Sequence, residues 1–234
     1  MDRFLAFDIE IAMEIPEGVE DWTKLHPMGI TCAATWASDE SRPRVWCGHD
    51  YWGAISHQMS TDELSRLIDH MIAYQSAGYQ VLTFAGAGFD FLELAAASNR
   101  WDACKSLAWN HVDMMFQTIC LLGYTPGLNR LAKGMGLEGK TEGVDGAKAP
   151  DLWKNGYYGK VLEYVAQDVR TTLDVAQAVI DCGQMRWESK TGRQQELKIN
   201  QWLSVEVASL LPEPNVSWMT DPWPRSKFIG WMQV

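Results

Sequence analysis

The chain has 234 residues, 47% of them apolar and 21% charged, which suits one main globular domain with an appendage and excludes disordered and collagen-like chains. Up to residue 129 there are 7 Lys/Arg against 17 Asp/Glu, and beyond it 13 against 13, so the net charge of −10 lies wholly in the first part. That argues against a broad basic surface for coating duplex nucleic acid and leaves room for a site that gathers cations.

No run approaches the roughly 20 apolar residues of a membrane span. The opening stretch MDRFLAFDIE is too charged for a signal peptide, so a soluble, cytoplasmic protein with no membrane partner is expected. Cys32, Cys47, Cys104, Cys120 and Cys182 are odd in number and widely spaced, which suits a reducing compartment rather than a disulfide framework or a zinc ribbon.

In chain order, RFLAFDIEIA predicts a buried first strand, and MGITCAATWA and RPRVWC two more. Ser60-Thr61-Asp62-Glu63 has the form of a capping box, followed by Leu64, Leu67, Ile68, Met71 and Ile72 at helical spacing. Residues 80–84 predict a strand that passes through Gly86 and Gly88 into the helical run FDFLELAAASN, giving the order βββαβα. Further helices are predicted at 101–109, 112–122, 127–134 and about 155–182, with glycines 123 and 183 stopping two of them. Residues 139–150 read as a mobile loop, and 185–199 as a hairpin around Lys190-Thr191-Gly192. The fold class expected is α/β, a mixed central sheet flanked by helices, with residues 1–182 as the main domain and 183–234 as an extension packed on it. Trp187, Trp202, Trp218, Trp223 and Trp231 fall in that proline-rich extension and are expected to pin it to the core rather than to stack bases.

Asp8 and Glu10, at i and i+2 on the first strand, project from one face of the sheet. Two carboxylates on an otherwise apolar strand repel and resist desolvation unless a cation sits between them, so a divalent metal is the natural remedy. Asp90 opens a helix, where the exposed amides and the dipole favour a carboxylate. Tyr164 and Asp168, four apart, share one helical face.

Taken together, Asp8-Ile9-Glu10, Ala85-Gly86-Ala87-Gly88-Phe89-Asp90 and Tyr164-Val165-Ala166-Gln167-Asp168 resemble, in order, the D-x-E, N-G-x-x-F-D and Y-x-x-x-D motifs of the DEDD (DnaQ-like) 3′-5′ exonucleases. Glu163 stands where the histidine subclass carries its histidine, so the resemblance is to the tyrosine subclass, on an RNase H-like fold. It implies hydrolysis of phosphodiester bonds at the 3′ end of nucleic acid, single-stranded DNA before RNA. It also implies two Mg²⁺ or Mn²⁺ ions held by Asp8, Glu10, Asp90 and Asp168, with Tyr164 orienting the attacking water. Ala85 departs from the family's asparagine, which bears on substrate grip or rate more than on metal. Ile9, Phe89, Lys140 and Lys148 are candidate nucleic-acid contacts, and a polymerase or a repair or defence system is the candidate partner.

Two other classes compete. Gly134-Met135-Gly136-Leu137-Glu138-Gly139-Lys140-Thr141 spells a nucleotide-binding P-loop, but that motif works only between a buried strand and a helix N-terminus. A catalytically impaired binding or scaffold protein on the nuclease fold is the other, and the four retained acids argue against it.

Overall fold

The computed structural model describes residues 3–16, 18–19, 22–139 and 146–233. Among these, β1 (Phe4–Ile11), β2 (Ile30–Ala37), β3 (Arg44–Cys47), β4 (Gln80–Thr83) and β5 (Val112–Asp113) form one mixed sheet in the order β3-β2-β1-β4-β5. β2 runs antiparallel to both β1 and β3, while β1, β4 and β5 are parallel. The expected α/β class with a mixed central sheet is what forms.

Alternation along β1 sorts its side chains between two layers. Leu5, Phe7 and Ile9 join the core beneath α1 (Thr61–Ser76), α2 (Asp90–Ser98) and α3 (Trp101–Asn110). Ala6, Cys32 and Ala34 meet Val161, Val165 and Val169 of α7 (Tyr158–Cys182) on the other face. Asp8 and Glu10 follow Ala6 at even positions and therefore face α7. The capping box at Ser60 and Glu63 is formed, and Gly123 and Gly183 take the left-handed conformation that ends α4 (Met114–Leu122) and α7.

Two sequence expectations change. The helix read from 112 starts two residues later, because Val112 and Asp113 pair with Leu82 and Thr83 as the edge of the sheet. The loop read over 139–150 is helical from residue 146: a 3-10 turn at Gly146–Lys148 runs into α6 (Ala149–Lys154), which begins with Pro150 in its first turn. The P-loop rival lacks its entering strand among the described residues: the helix read over 127–134 forms as α5 (Leu128–Gly134) and leads into the motif. Gly134 is required there because a Cβ would collide with the Arg186 carbonyl. Lys140 and Thr141 lie outside the described residues.

The hairpin forms as β6 (Gln184–Glu188) and β7 (Gln194–Lys198), followed by α8 (Val205–Ser209) and α9 (Ser226–Ile229). Phe228, Ile229 and Met232 enter the main core, and the Trp231 indole N–H donates to the Ala87 carbonyl at 2.8 Å. Trp187 and Trp202 are also buried, whereas Trp218 and Trp223 keep 68% and 40% of their surface exposed. The tryptophans therefore divide between anchors and surface rings. No helix among the described residues is long and apolar enough to cross a membrane.

Candidate active site

A cleft of about 370 Å³ opens beside the C-terminal half of β1, and Asp8, Glu10, Asp90, Tyr164 and Asp168 all line it. Each side chain arrives by a different local rule. The strand period puts Asp8 and Glu10 on one face, and the helical period puts Tyr164 one turn before Asp168 on α7. Asp90 is the first residue of α2, delivered by the turn that leaves β4. Asp8, Glu10 and Asp168 bring one carboxylate oxygen each within 4.8 Å of one another. Glu10, Asp90 and Asp168 are buried, and Asp8 is partly so.

Asp90 occupies the wall behind that trio. Its Oδ1 accepts the Ile9 amide at 3.2 Å, between the two strand acids. Burial first, then the charges of Asp113 and Asp168, raise the Asp90 carboxyl well above the ordinary carboxylate range. Four acids around one cleft with hard oxygen donors and no soft ligand fit Mg²⁺, Mn²⁺ or Ca²⁺ rather than a thiolate-bound metal. The donor chemistry thus suits the ions expected from the motifs.

The roof comes from the segment read as loop. Gly146, Ala147 and Pro150 line the cleft, and a Cβ on Gly146 would sit 3.5 Å from the Tyr164 hydroxyl. Phe89 and Ile9 also line it, and Ile9 belongs as well to the core beneath α1, α2 and α3. Lys148 is exposed just past the roof and does not line the cleft. Lys140 lies outside the described residues.

Ala85 lines the cleft and holds φ +87°, a conformation that L residues with a Cβ seldom adopt. Asp113 sustains it. Its two carboxylate oxygens accept the amides of Ala85 (3.1 Å) and Ala87 (2.8 Å), and Oδ1 also caps α4 through Phe116 N–H at 3.0 Å. The clamp on the loop joins residues lying 26 and 28 positions apart, which no local pattern reveals. His111 is buried between the Thr83 hydroxyl and the Ala108 carbonyl, its imidazole driven toward the neutral form by burial, and it stays out of the cleft. Glu93, also missed, is fully buried on α2 and accepts the Met28 amide at 2.9 Å while meeting His26 Nδ1 at 2.5 Å. An acid inside the apolar run FDFLELAAA was the available signal. Among the described residues, the cluster of acids or metal-ligating groups that meets at one point is the Asp8, Glu10 and Asp168 trio.

A family model for the RNase H superfamily matches residues 53–180, which include Asp90, Tyr164 and Asp168 and leave β1 outside. Among solved structures, the chain is similar to the family B DNA polymerase from the hyperthermophilic archaeon Pyrobaculum calidifontis, with a TM-score of 0.57 and 19% identity. The alignment covers 77% of this chain and 25% of that one, so the chain spans about a quarter of the polymerase's length. No curated protein matches the chain by sequence.

Proposed function

Since the chain belongs to the RNase H superfamily, we propose that it is a metal-dependent 3′-5′ exonuclease of the tyrosine DEDD type, acting on single-stranded DNA in preference to RNA. The observation that carries this reading is the meeting of Asp8 and Glu10 from β1 with Asp168 from α7, more than 150 residues away in sequence. Asp8, Glu10, Asp90 and Asp168 would hold two Mg²⁺ or Mn²⁺ ions. When bound, such ions lower the pKa of a coordinated water and stabilise charge on the departing oxygen.

The chain's own groups supply position. Tyr164, with its hydroxyl under the Gly146 roof, orients the attacking water. Phe89 and Ile9 form the wall against which the terminal nucleotide rests. Water's oxygen joins phosphorus, the P–O3′ bond breaks, the 3′ oxygen leaves with a proton, and a nucleoside 5′-monophosphate is released. The similarity to a DNA polymerase makes proofreading for a polymerase the partner relationship favoured here.

A 5′-end-labelled oligonucleotide incubated with Mn²⁺ tests the reading. Stepwise shortening is expected, with single-stranded DNA shortened faster than RNA, and Asp8→Ala or Asp168→Ala is expected to abolish it and to remove Mn²⁺ binding in calorimetry. Full activity in either variant overturns the assignment. Absence of Mn²⁺ binding by the wild type favours the scaffold alternative, for which the missing asparagine at Ala85 is the one supporting observation.

A further inference from the structure

Two aromatic rings stand in solvent where a folded chain gains nothing from them. Tyr51 is 91% exposed and Trp52 85%, and they meet edge to face at 5.1 Å. The turn that carries them is built rather than slack. His49 and Ile55 form a bridge, Asp50 N–H donates to the Ala54 carbonyl at 2.8 Å, and Asp50 Oδ1 accepts the amides of Trp52 and Ala54, each at 2.9 Å. Gly48 lets this small hairpin close, because a Cβ there would collide with Ser56 and Gln58. Exposed aromatics on an ordered turn are a feature of binding surfaces, since burial repays their hydrophobic area.

The sheet register places the turn relative to the cleft. Glu10 pairs with Cys32, and Cys32 with Cys47, so these three residues form one row across β1, β2 and β3. At about 4.8 Å per strand, Cys47 stands roughly 10 Å from Glu10. β3 points the same way as β1, and its chain leaves the sheet at Cys47 toward residues 48–56, beyond the end of the sheet that carries Glu10. Cys47 and Ile55 pack in the layer of α7, the face on which Asp8 and Glu10 project. The indole N–H of Trp153 on α6 donates to the Ser56 carbonyl at 3.1 Å, tying the hairpin to the helix whose Pro150 lines the cleft. Turn and carboxylates therefore share one face and one end of the sheet, joined by α6. The exposed Lys148, Lys154 and Lys160 lie along the 146–160 segment, and the Lys160 ammonium sits 4.9 Å over the exposed Tyr157 ring.

We propose that Tyr51 and Trp52 are a stacking platform for the bases of a single strand whose 3′ end occupies the carboxylate cleft. This rests on the nuclease reading above. Stacking suits the site because every base offers a π face, so a nuclease indifferent to sequence gains length-dependent grip without base-edge contacts. The lysines take the phosphates, and the local charge is then complementary in a chain that is acidic overall.

The test measures anisotropy of 5′-labelled oligothymidylates of about three and about ten nucleotides on the full chain, with Ca²⁺ replacing Mg²⁺. The wild type is expected to bind the longer strand at least about 10-fold more tightly, and Tyr51→Ala/Trp52→Ala to remove most of that ratio. Tyr51→Phe/Trp52→Phe, which keeps both rings, is expected to retain it. If the wild type shortens oligonucleotides in Mn²⁺ but the double alanine variant keeps the full length ratio, the platform is overturned alone, and the rings are left to a protein partner. A wild type that neither cuts nor binds either strand overturns the nuclease reading and the platform with it.

Discussion

Asp113 Oδ1 accepts the backbone amide of Ala85 at 3.1 Å, across 28 residues of sequence, and holds an alanine at φ +87° on the rim of the acidic cleft. The same carboxylate caps α4 and grips Ala87, so one buried side chain ties the sheet edge, a helix start and the cleft loop. Asp113→Ala removes all three bonds and is expected to cost about 3 kcal/mol in urea unfolding, the sum of a lost cap and orphaned amides. Asp113→Asn keeps one carbonyl oxygen for Ala85 and Phe116 and is expected to cost about half as much. Equal losses in the two variants would show that the clamp contributes nothing beyond volume.

At Ala85 itself, the positive φ disfavours a Cβ by about 1 kcal/mol or more. Ala85→Gly is therefore expected to raise stability by about 1 kcal/mol in the same measurement. Asparagine tolerates this region of backbone space better than alanine, so Ala85→Asn is expected to be neutral or mildly stabilising. On the nuclease reading it also raises kcat/KM severalfold, and a drop in both quantities would refute the substrate role assigned to this position.

Asp90 is ionised at neutral pH only against burial and the charges of Asp113 and Asp168. Its carboxyl is raised in the folded state, so the folded protein holds that proton more tightly than the unfolded chain, and stability falls as pH climbs from the ordinary carboxylate range through the raised value. In metal-free protein near pH 8, Asp90→Asn is expected to raise stability by about 1–2 kcal/mol while keeping an acceptor for Ile9. Mn²⁺ is expected to raise the melting temperature of the wild type more than that of the variant. Thermal scans with and without the ion, or with a chelator, read both effects.

His70 has the opposite sign of pH dependence. It is half-buried among Trp46, Tyr74 and the Thr35 hydroxyl, and burial, then the charge of Arg44, brings it down to about 4. The unfolded chain therefore binds the proton more readily between about pH 6.5 and 4, and stability is lost as pH falls through that window. After allowance for solvent screening the loss attributable to His70 is about 1 kcal/mol. His70→Gln is expected to flatten this part of the stability curve in urea titrations at pH 7, 5.5 and 4.5.

The C-terminal segment braces the cleft loop from behind. Trp231 donates to Ala87, and a Cβ on Gly88 would meet Phe228 Cδ1 at 2.8 Å. Trp231→Phe is expected to cost about 1 kcal/mol and Gly88→Ala about 1–3 kcal/mol, whereas Trp218→Ala, at an exposed ring, is expected to stay within about 0.5 kcal/mol. Melting temperatures of the three variants, compared at one pH, check the order.

The parts of the site that sequence made legible are those whose geometry is local. An i, i+2 pair on a strand and an i, i+4 pair on a helix have determined directions once the element is recognised, which is why Asp8, Glu10, Tyr164 and Asp168 were readable. The parts that stayed hidden depend on distant partners. β5 is two residues long and exists because Leu82 and Thr83 lie beside it. Glu93 is tolerated at full burial because residues 26 and 28, 65 or more positions earlier, bring it an imidazole and an amide. The string G-x-x-x-x-G-K-T could be set aside from sequence because its chemistry needs a strand where the helical spacing of Leu128, Leu131 and Ala132 predicts the helix that forms.

The order of elements from β1 to α2, the strand face shared by Asp8 and Glu10 and the acidic character of the first half follow from the sequence by itself, since backbone periodicity and side-chain charge are properties of short segments. Only the tertiary structure decided that β1 and α7 bring three carboxylates within 4.8 Å, that residues 146–150 roof the cleft rather than swing as a loop, and that Tyr51 and Trp52 stand at the same end of the sheet as the acids. Those distances are set by strand register and by which apolar faces must be buried together, and both are settled by the whole chain at once.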